Sequence, residues 1–146
     1  KQIPVTINYT YDKKTDEKKP DIYDLEKINR INNMQVDDWY PVNPLPEGYN
    51  TNQPIKSHGF VLPQFFYTNR NFIIISRLRS LAKRCKSPLL LFWLNSIDHG
   101  ISKRVKHGNW SFPMSVLSGT LYIPSLSHEN NPFHFYKTKL SKQIKS

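Results

Sequence analysis

Five of the eleven prolines fall between residues 39 and 64, at Pro41, Pro44, Pro46, Pro54 and Pro63. Proline lacks the amide donor and its ring collides with the preceding turn, so no regular helix is expected to cross this stretch. It is therefore read as an extended, irregular connection. In isolation such a segment buries too little apolar surface to offset the entropy of ordering, so it is expected to lie along a partner. It also separates two parts of the chain that differ in charge.

Residues 1–50 hold seven Lys and Arg against nine Asp and Glu, a net charge of −2. Residues 51–146 hold fourteen against two, a net charge of +12. Beyond Glu47 the only acids are Asp98 and Glu129. A surface this positive attracts polyanions, and nucleic acid is the commonest. A length of 146 residues fits one domain, or one domain with an extension. Thirteen per cent aromatic residues argue against disorder throughout.

The N-terminal part holds one helix signal. Asp21 follows Pro20 as an N-cap, and Ile22, Leu25, Ile28 and Ile31 fall on one face, which predicts a helix over 21–33. The Lys/Asp-rich run 12–20 is expected to be a solvated tail or loop. Ile3, Val5 and Ile7 alternate with polar residues, as in a short edge strand.

Regular structure is expected to resume at residue 60. Val61–Tyr67 and Phe72–Ser76 have strand composition, and Phe72-Ile73-Ile74-Ile75 suits a central strand buried on both faces. Leu78–Lys86 is expected to be a basic helical turn or loop. Ser87 as N-cap, Pro88 at the first helical position and Gly100 as stop predict a helix, largely buried, over 87–98. Residues 101–111 are basic loop, Thr120–Ile123 a short strand, and 125–132 turn. The alternation of Phe133, Phe135, Lys137 and Lys139 predicts a strand with a basic end. The expected fold is α+β: a small mixed sheet with one or two packed helices over 60–146, and a long irregular N-terminal extension over 1–59.

The cations of the C-terminal part form three clusters. Arg77, Arg79, Lys83, Arg84 and Lys86 lie within ten residues. Lys103, Arg104, Lys106 and His107 follow, close to Trp110, and Lys137, Lys139, Lys142 and Lys145 close the chain. Guanidinium and ammonium groups neutralise phosphates, and each contact releases counterions. Trp110, Tyr122 and Tyr136 are candidates for stacking on unpaired bases. Anionic lipid headgroups are the competing partner.

Other chemistry is poorly represented. The five histidines show no metal-ligand spacing, and the single cysteine, Cys85, excludes a disulfide framework within the chain. Cys85 is expected to be a packing residue, Asp98 a surface residue, and Asp37-Asp38 turn or cap residues. No phosphate-binding loop, dinucleotide fingerprint or nucleophile elbow occurs. Neither catalysis nor a cofactor nor a small-molecule substrate is expected. Lys, Asn and Ile are abundant and Ala82 is the only alanine, a pattern typical of A+T-biased coding such as that of organellar genomes.

From Phe72 onward the layout resembles the small-subunit ribosomal protein S-ten family, in a divergent organellar form. Phe72-Ile73-Ile74-Ile75 stands for that family's first strand and Pro88–Ile97 for its helix. Gly108 and Phe112-Pro113-Met114 fall in its loop, Ser127-His128 near a hairpin tip, and Phe135–Ile144 on a basic returning arm. The resemblance implies a structural RNA-binding component of a mitochondrial ribosome, on the matrix side, contacting rRNA phosphates and neighbouring proteins. The alternative is an accessory subunit of an organellar membrane complex, its basic face toward lipid headgroups or acidic subunits.

Overall fold

The computed structural model describes residues 3–107 and 116–144. The chain is α+β, and it divides into two compact units, Lys1–Gln35 and Val36–Ser146.

The first unit is a hairpin followed by a helix. Strands β1 (Ile7–Tyr11) and β2 (Lys14–Lys18) pair antiparallel, with Tyr11 opposite Lys14. That register leaves a two-residue loop, Asp12-Lys13, whose φ angles of 46° and 60° are both left-handed. Such a turn follows the natural twist of paired strands, which is why it closes tight hairpins. The run expected to be loop is therefore half a hairpin, and the strand begins at Ile7 instead of Ile3. Helix α1 (Ile22–Asn32) forms where expected. Asp21 and Asp24 complete a capping box, each carboxylate accepting from the other residue's amide at 2.9 and 3.0 Å. Lys18 reaches both carboxylates at 2.8 Å and so joins β2 to the cap.

The second unit is helical among its described residues, and the four strands expected there are corrected. Helix α2 (Tyr49–His58) crosses Pro54, against the expectation from the prolines. The missing amide costs one hydrogen bond in the middle of a short helix, and Pro54 is fully buried in return. Gly59 ends α2 in the left-handed region at φ 69°. Within the expected strand 61–67, Pro63–Phe66 is a 3-10 turn. The expected strand Thr120–Ile123 does not form, and among the described residues of this unit β-type pairing is limited to an isolated bridge between Lys106 and Ser127.

The expected central strand is the start of α3 (Asn69–Arg84), the longest helix. Thr68 caps it by accepting from the Asn71 amide. Asn71, Ile75, Leu78 and Ala82 then recur at spacings of four, three and four, and this stripe faces the core. A strand buried on both faces would hide Ile73 and Ile74 as well, and both are half-exposed. The expected strand 133–140 is likewise helix α5 (Pro132–Ile144). Its start has the same signature as that at Ser87-Pro88. Asn131 Oδ1 accepts from the Phe133 amide at 3.0 Å, and Pro132 occupies the first turn.

Helix α4 (Pro88–Asn95) starts at Ser87 as expected but stops earlier than Asp98. The Ser96 hydroxyl turns back to the Trp93 carbonyl at 2.7 Å, and the chain tightens into a 3-10 turn, Asp98–Ile101, that contains Gly100. Nor is α4 largely buried: Leu94 is its only buried residue.

The core joins α3, α4, the 98–101 turn and α5 through Ile75, Ala82, Leu94, Ile97, Ile101 and Tyr136. Asn71 lies wholly inside it. Its amide donates to the Ile101 carbonyl at 2.9 Å and the Asn130 carbonyl at 3.2 Å, and Asn130 donates to the Gly100 carbonyl at 2.7 Å. These bonds fix the start of α3 to the 98–101 turn and to the approach to α5.

Helix α3 ends in a Schellman arrangement. Ser87 N–H donates to the Ala82 carbonyl at 3.3 Å and Lys86 N–H to the Lys83 carbonyl at 3.0 Å. The residue held left-handed there, at φ 51°, is Lys86 instead of glycine. An L-residue in that region costs about 1–2 kcal/mol. Glycine's extra unfolded-state entropy returns about 0.5–1 kcal/mol of this. Lys86→Gly should therefore raise stability by about 0.5–1 kcal/mol in urea unfolding, with an unchanged denaturant slope.

Candidate nucleic-acid interface

The rotation of α3 sorts the first basic cluster into two groups. Arg77 and Arg84 are seven residues apart and share the outer face with Leu81. The Arg77 side chain is 58% exposed and makes a loose pair with Asp38 at 3.4 Å. Arg79 lies about 160° around the helix from Arg77 and points inward. Its guanidinium pairs with the Asp98 carboxylate and donates to Asn95 Oδ1 at 2.7 Å. Lys83 sets its ammonium 3.2 Å from the centre of the Trp39 ring, a cation–π contact. Lys86 is exposed just beyond the helix.

The second cluster divides in the same way. Lys103 donates to the Phe65 carbonyl at 3.1 Å beside the Phe60 ring, and burial lowers its pKa from the ordinary lysine value. Arg104 donates to the Thr120 carbonyl at 2.6 Å, and burial lowers its pKa too. Lys106 and His107 are exposed, and the His107 ring stacks on His128 with centroids 6.2 Å apart. Trp110 lies outside the described residues.

In the third cluster Lys137 and Lys139 are exposed on α5. Lys142 belongs to α5, although its side chain lies outside the described part, as does Lys145 altogether. The bridge between Lys106 and Ser127 brings the second cluster to the segment that leads into α5, so these two clusters occupy adjoining elements.

Four of the expected contact residues have partners within the fold. Arg79, Lys103 and Arg104 are held by acceptors within the fold, and Lys83 by an indole. Tyr136 is 5% exposed and packs on Trp93, so it has no open face for a base. Tyr122 remains exposed. Cys85 is exposed at the end of α3 instead of packed. Asp38 serves as Arg77's partner.

Asp98, expected at the surface, has a side chain only 14% exposed. Burial pushes its carboxyl above the ordinary range, and Arg79 opposes this only in part. Tyr67 and Tyr136 feel the same surroundings. Burial first, then the Asp98 charge, moves both phenols above the ordinary tyrosine value. A cleft of about 340 Å³ opens beside this group, lined by Leu45, Phe66, Tyr67, Asp98, His99 and Arg104 among others. Sequence spacing gives no sign of it, because its walls come from four separate stretches of chain.

Glu129 accepts from the Thr68 hydroxyl at 2.7 Å and pairs with Arg70 at 2.9 Å. Among the described residues no group of three or more His, Cys, Asp or Glu is placed to hold a metal ion. No family model, curated protein or solved structure matches the chain.

Two measurements separate structural from free cations. Arg79→Ala leaves the Asp98 carboxylate buried without its partner, and should cost about 3 kcal/mol or more in urea unfolding. Arg84→Ala, on the outer face, should stay within about 0.5 kcal/mol of the parent. In a spectrophotometric titration, Tyr67 and Tyr136 should ionise later than the exposed tyrosines. Their phenols are raised in the fold, so the stability they contribute is complete below the ordinary value near 10. It is lost as pH rises through their elevated values. Alkaline unfolding should therefore coincide with the late absorbance step.

Proposed function

We propose that the chain is a structural RNA-binding component of a ribonucleoprotein, of the organellar-ribosome kind, with its C-terminal part on rRNA phosphates. One observation carries this reading. The two acids of residues 51–146, Asp98 and Glu129, are both engaged within the fold by Arg79 and Arg70. They neutralise only those two of the fourteen Lys and Arg in that stretch. Uncompensated positive charge on a folded unit favours a polyanion, with affinity drawn from counterion release.

The exposed cations are spread over several elements. Lys106, His107, Lys137 and Lys139 sit on adjoining elements, with Arg84 and Lys86 at the corner between α3 and α4. Contacts of this kind position a protein on a nucleic-acid backbone without reading bases. The first unit suits protein neighbours: α1 buries none of its residues and exposes Ile22 and Leu25. The organellar setting rests on the A+T-biased composition. The segments that would be strand and returning arm in the S-ten layout are helices α3 and α5, so the proposal stands on charge and not on that layout.

Triple substitution of Lys106, Lys137 and Lys139 by Glu should weaken binding to structured RNA. The log–log salt slope should become shallower by about 0.7–0.9 for each phosphate that is no longer neutralised. Far-UV circular dichroism should not change, since all three side chains are exposed. In organelle lysates washed with salt, the chain should sediment with ribosomal subunits. Undiminished RNA affinity in the triple variant would overturn the surface, and sedimentation with membranes alone would overturn the assembly.

A further inference from the structure

Helix α4 presents a second surface, chemically distinct from the RNA-facing cations. Leu89 is 74% exposed and Phe92 72% exposed, and their spacing of three puts them side by side on one face. Leu90 is also exposed, as is Leu81 on the outer face of α3. The fold does not require apolar groups at these positions. Ser87 and Pro88 would start the helix equally well with polar residues there, and Leu91 and Leu94 already pack its inner face.

Cations border this face. Arg84 and Lys86 immediately precede α4, and no Asp or Glu occurs anywhere between Glu47 and Asp98. Lys86 keeps its side chain at a left-handed backbone position where glycine would be more stable. That choice is explained if the ammonium is needed at this corner.

The occupant must therefore be apolar and anionic together. RNA offers phosphates and a base face on which Phe92 can stack, but little for the aliphatic Leu89 beside it. A neutral apolar groove offers nothing to Arg84 and Lys86. Eight residues of helix span about 12 Å, far less than a specific protein interface needs, whereas a bilayer requires no matching shape. No described helix is long and apolar enough to cross a membrane, so the contact is peripheral.

We propose that the α3–α4 corner docks on an anionic lipid bilayer. Leu89 and Phe92 enter the boundary between headgroups and acyl chains, and Arg84 and Lys86 sit among the headgroup phosphates. Arg84 and Lys86 belong to both readings, but Leu89 and Phe92 belong only to this one and Lys106, Lys137 and Lys139 only to the RNA reading, so different variants test the two.

The test is cosedimentation of the full chain with two kinds of vesicle: phosphatidylcholine alone, and phosphatidylcholine mixed equally with phosphatidylglycerol. The chain should bind only the mixed vesicles. Leu89→Ser with Phe92→Ser should lower that affinity about tenfold or more while leaving the far-UV spectrum and RNA affinity unchanged. Lys86→Gly should also weaken vesicle binding, although its fold is the more stable, which separates removal of the ammonium from damage to the fold. The proposal is overturned if the parent ignores mixed vesicles, or if the double serine variant binds them as well as the parent does. Equal loss of RNA affinity in that variant would assign the face to RNA. Dissociation of a self-associated chain by that variant, with no change in vesicle binding, would assign it to a protein contact.

Discussion

The pair between Arg79 and Asp98 sets the rest of the second unit in place. It crosses from α3 to the turn that follows α4, inside a region where an unpaired charge is costly. A helix has one rotational degree of freedom about its axis, and turning Arg79 inward uses it. Arg77 and Arg84 are then carried to the outside, Lys83 toward Trp39, and Ile75 and Ala82 into the core. The same pair consumes one of the two acids in the basic part. One interaction thus determines both how α3 packs and how much positive charge is left over.

The elements legible in the sequence are those whose ends carry caps in plain view. Asp21 announces α1, and Ser87-Pro88 announces α4. Three helices were disguised: α2 by the proline inside it, and α3 and α5 by strand-like composition. Three consecutive isoleucines after Phe72 have strand composition. Only the wider recurrence of Asn71, Ile75, Leu78 and Ala82 reveals a helical face, and one member of that stripe is polar. At α5 the alternation of Phe133 and Phe135 suggests a strand, while Asn131-Pro132 repeats the start signal of α4. The hairpin was hidden for another reason: Asp12-Lys13 takes a left-handed turn without glycine or asparagine.

The candidate site was legible as charge and not as geometry. Composition locates the positive half of the chain. It does not tell Arg77 from Arg79, two residues apart, because the distinction is the helical phase of α3. Nor does it show that Lys103 and Arg104 serve the carbonyls of Phe65 and Thr120, since those partners lie 38 and 16 residues away. The exposed leucine and phenylalanine of α4 mislead in the opposite direction: a continuous apolar run suggests burial, and here it supplies a surface.

The bridge between Lys106 and Ser127 has a topological meaning. It clamps the two ends of the intervening segment, with His128 N–H donating to the Val105 carbonyl at 2.8 Å and His107 N–H to the Leu126 carbonyl at 3.0 Å. Closing a loop costs entropy that grows only logarithmically with its length, so doubling the segment would cost about 0.6 kcal/mol. Within that closed loop the chain delivers the Thr120 carbonyl to Arg104 and buries Ile123, so the clamp also fixes one of the inward-held cations.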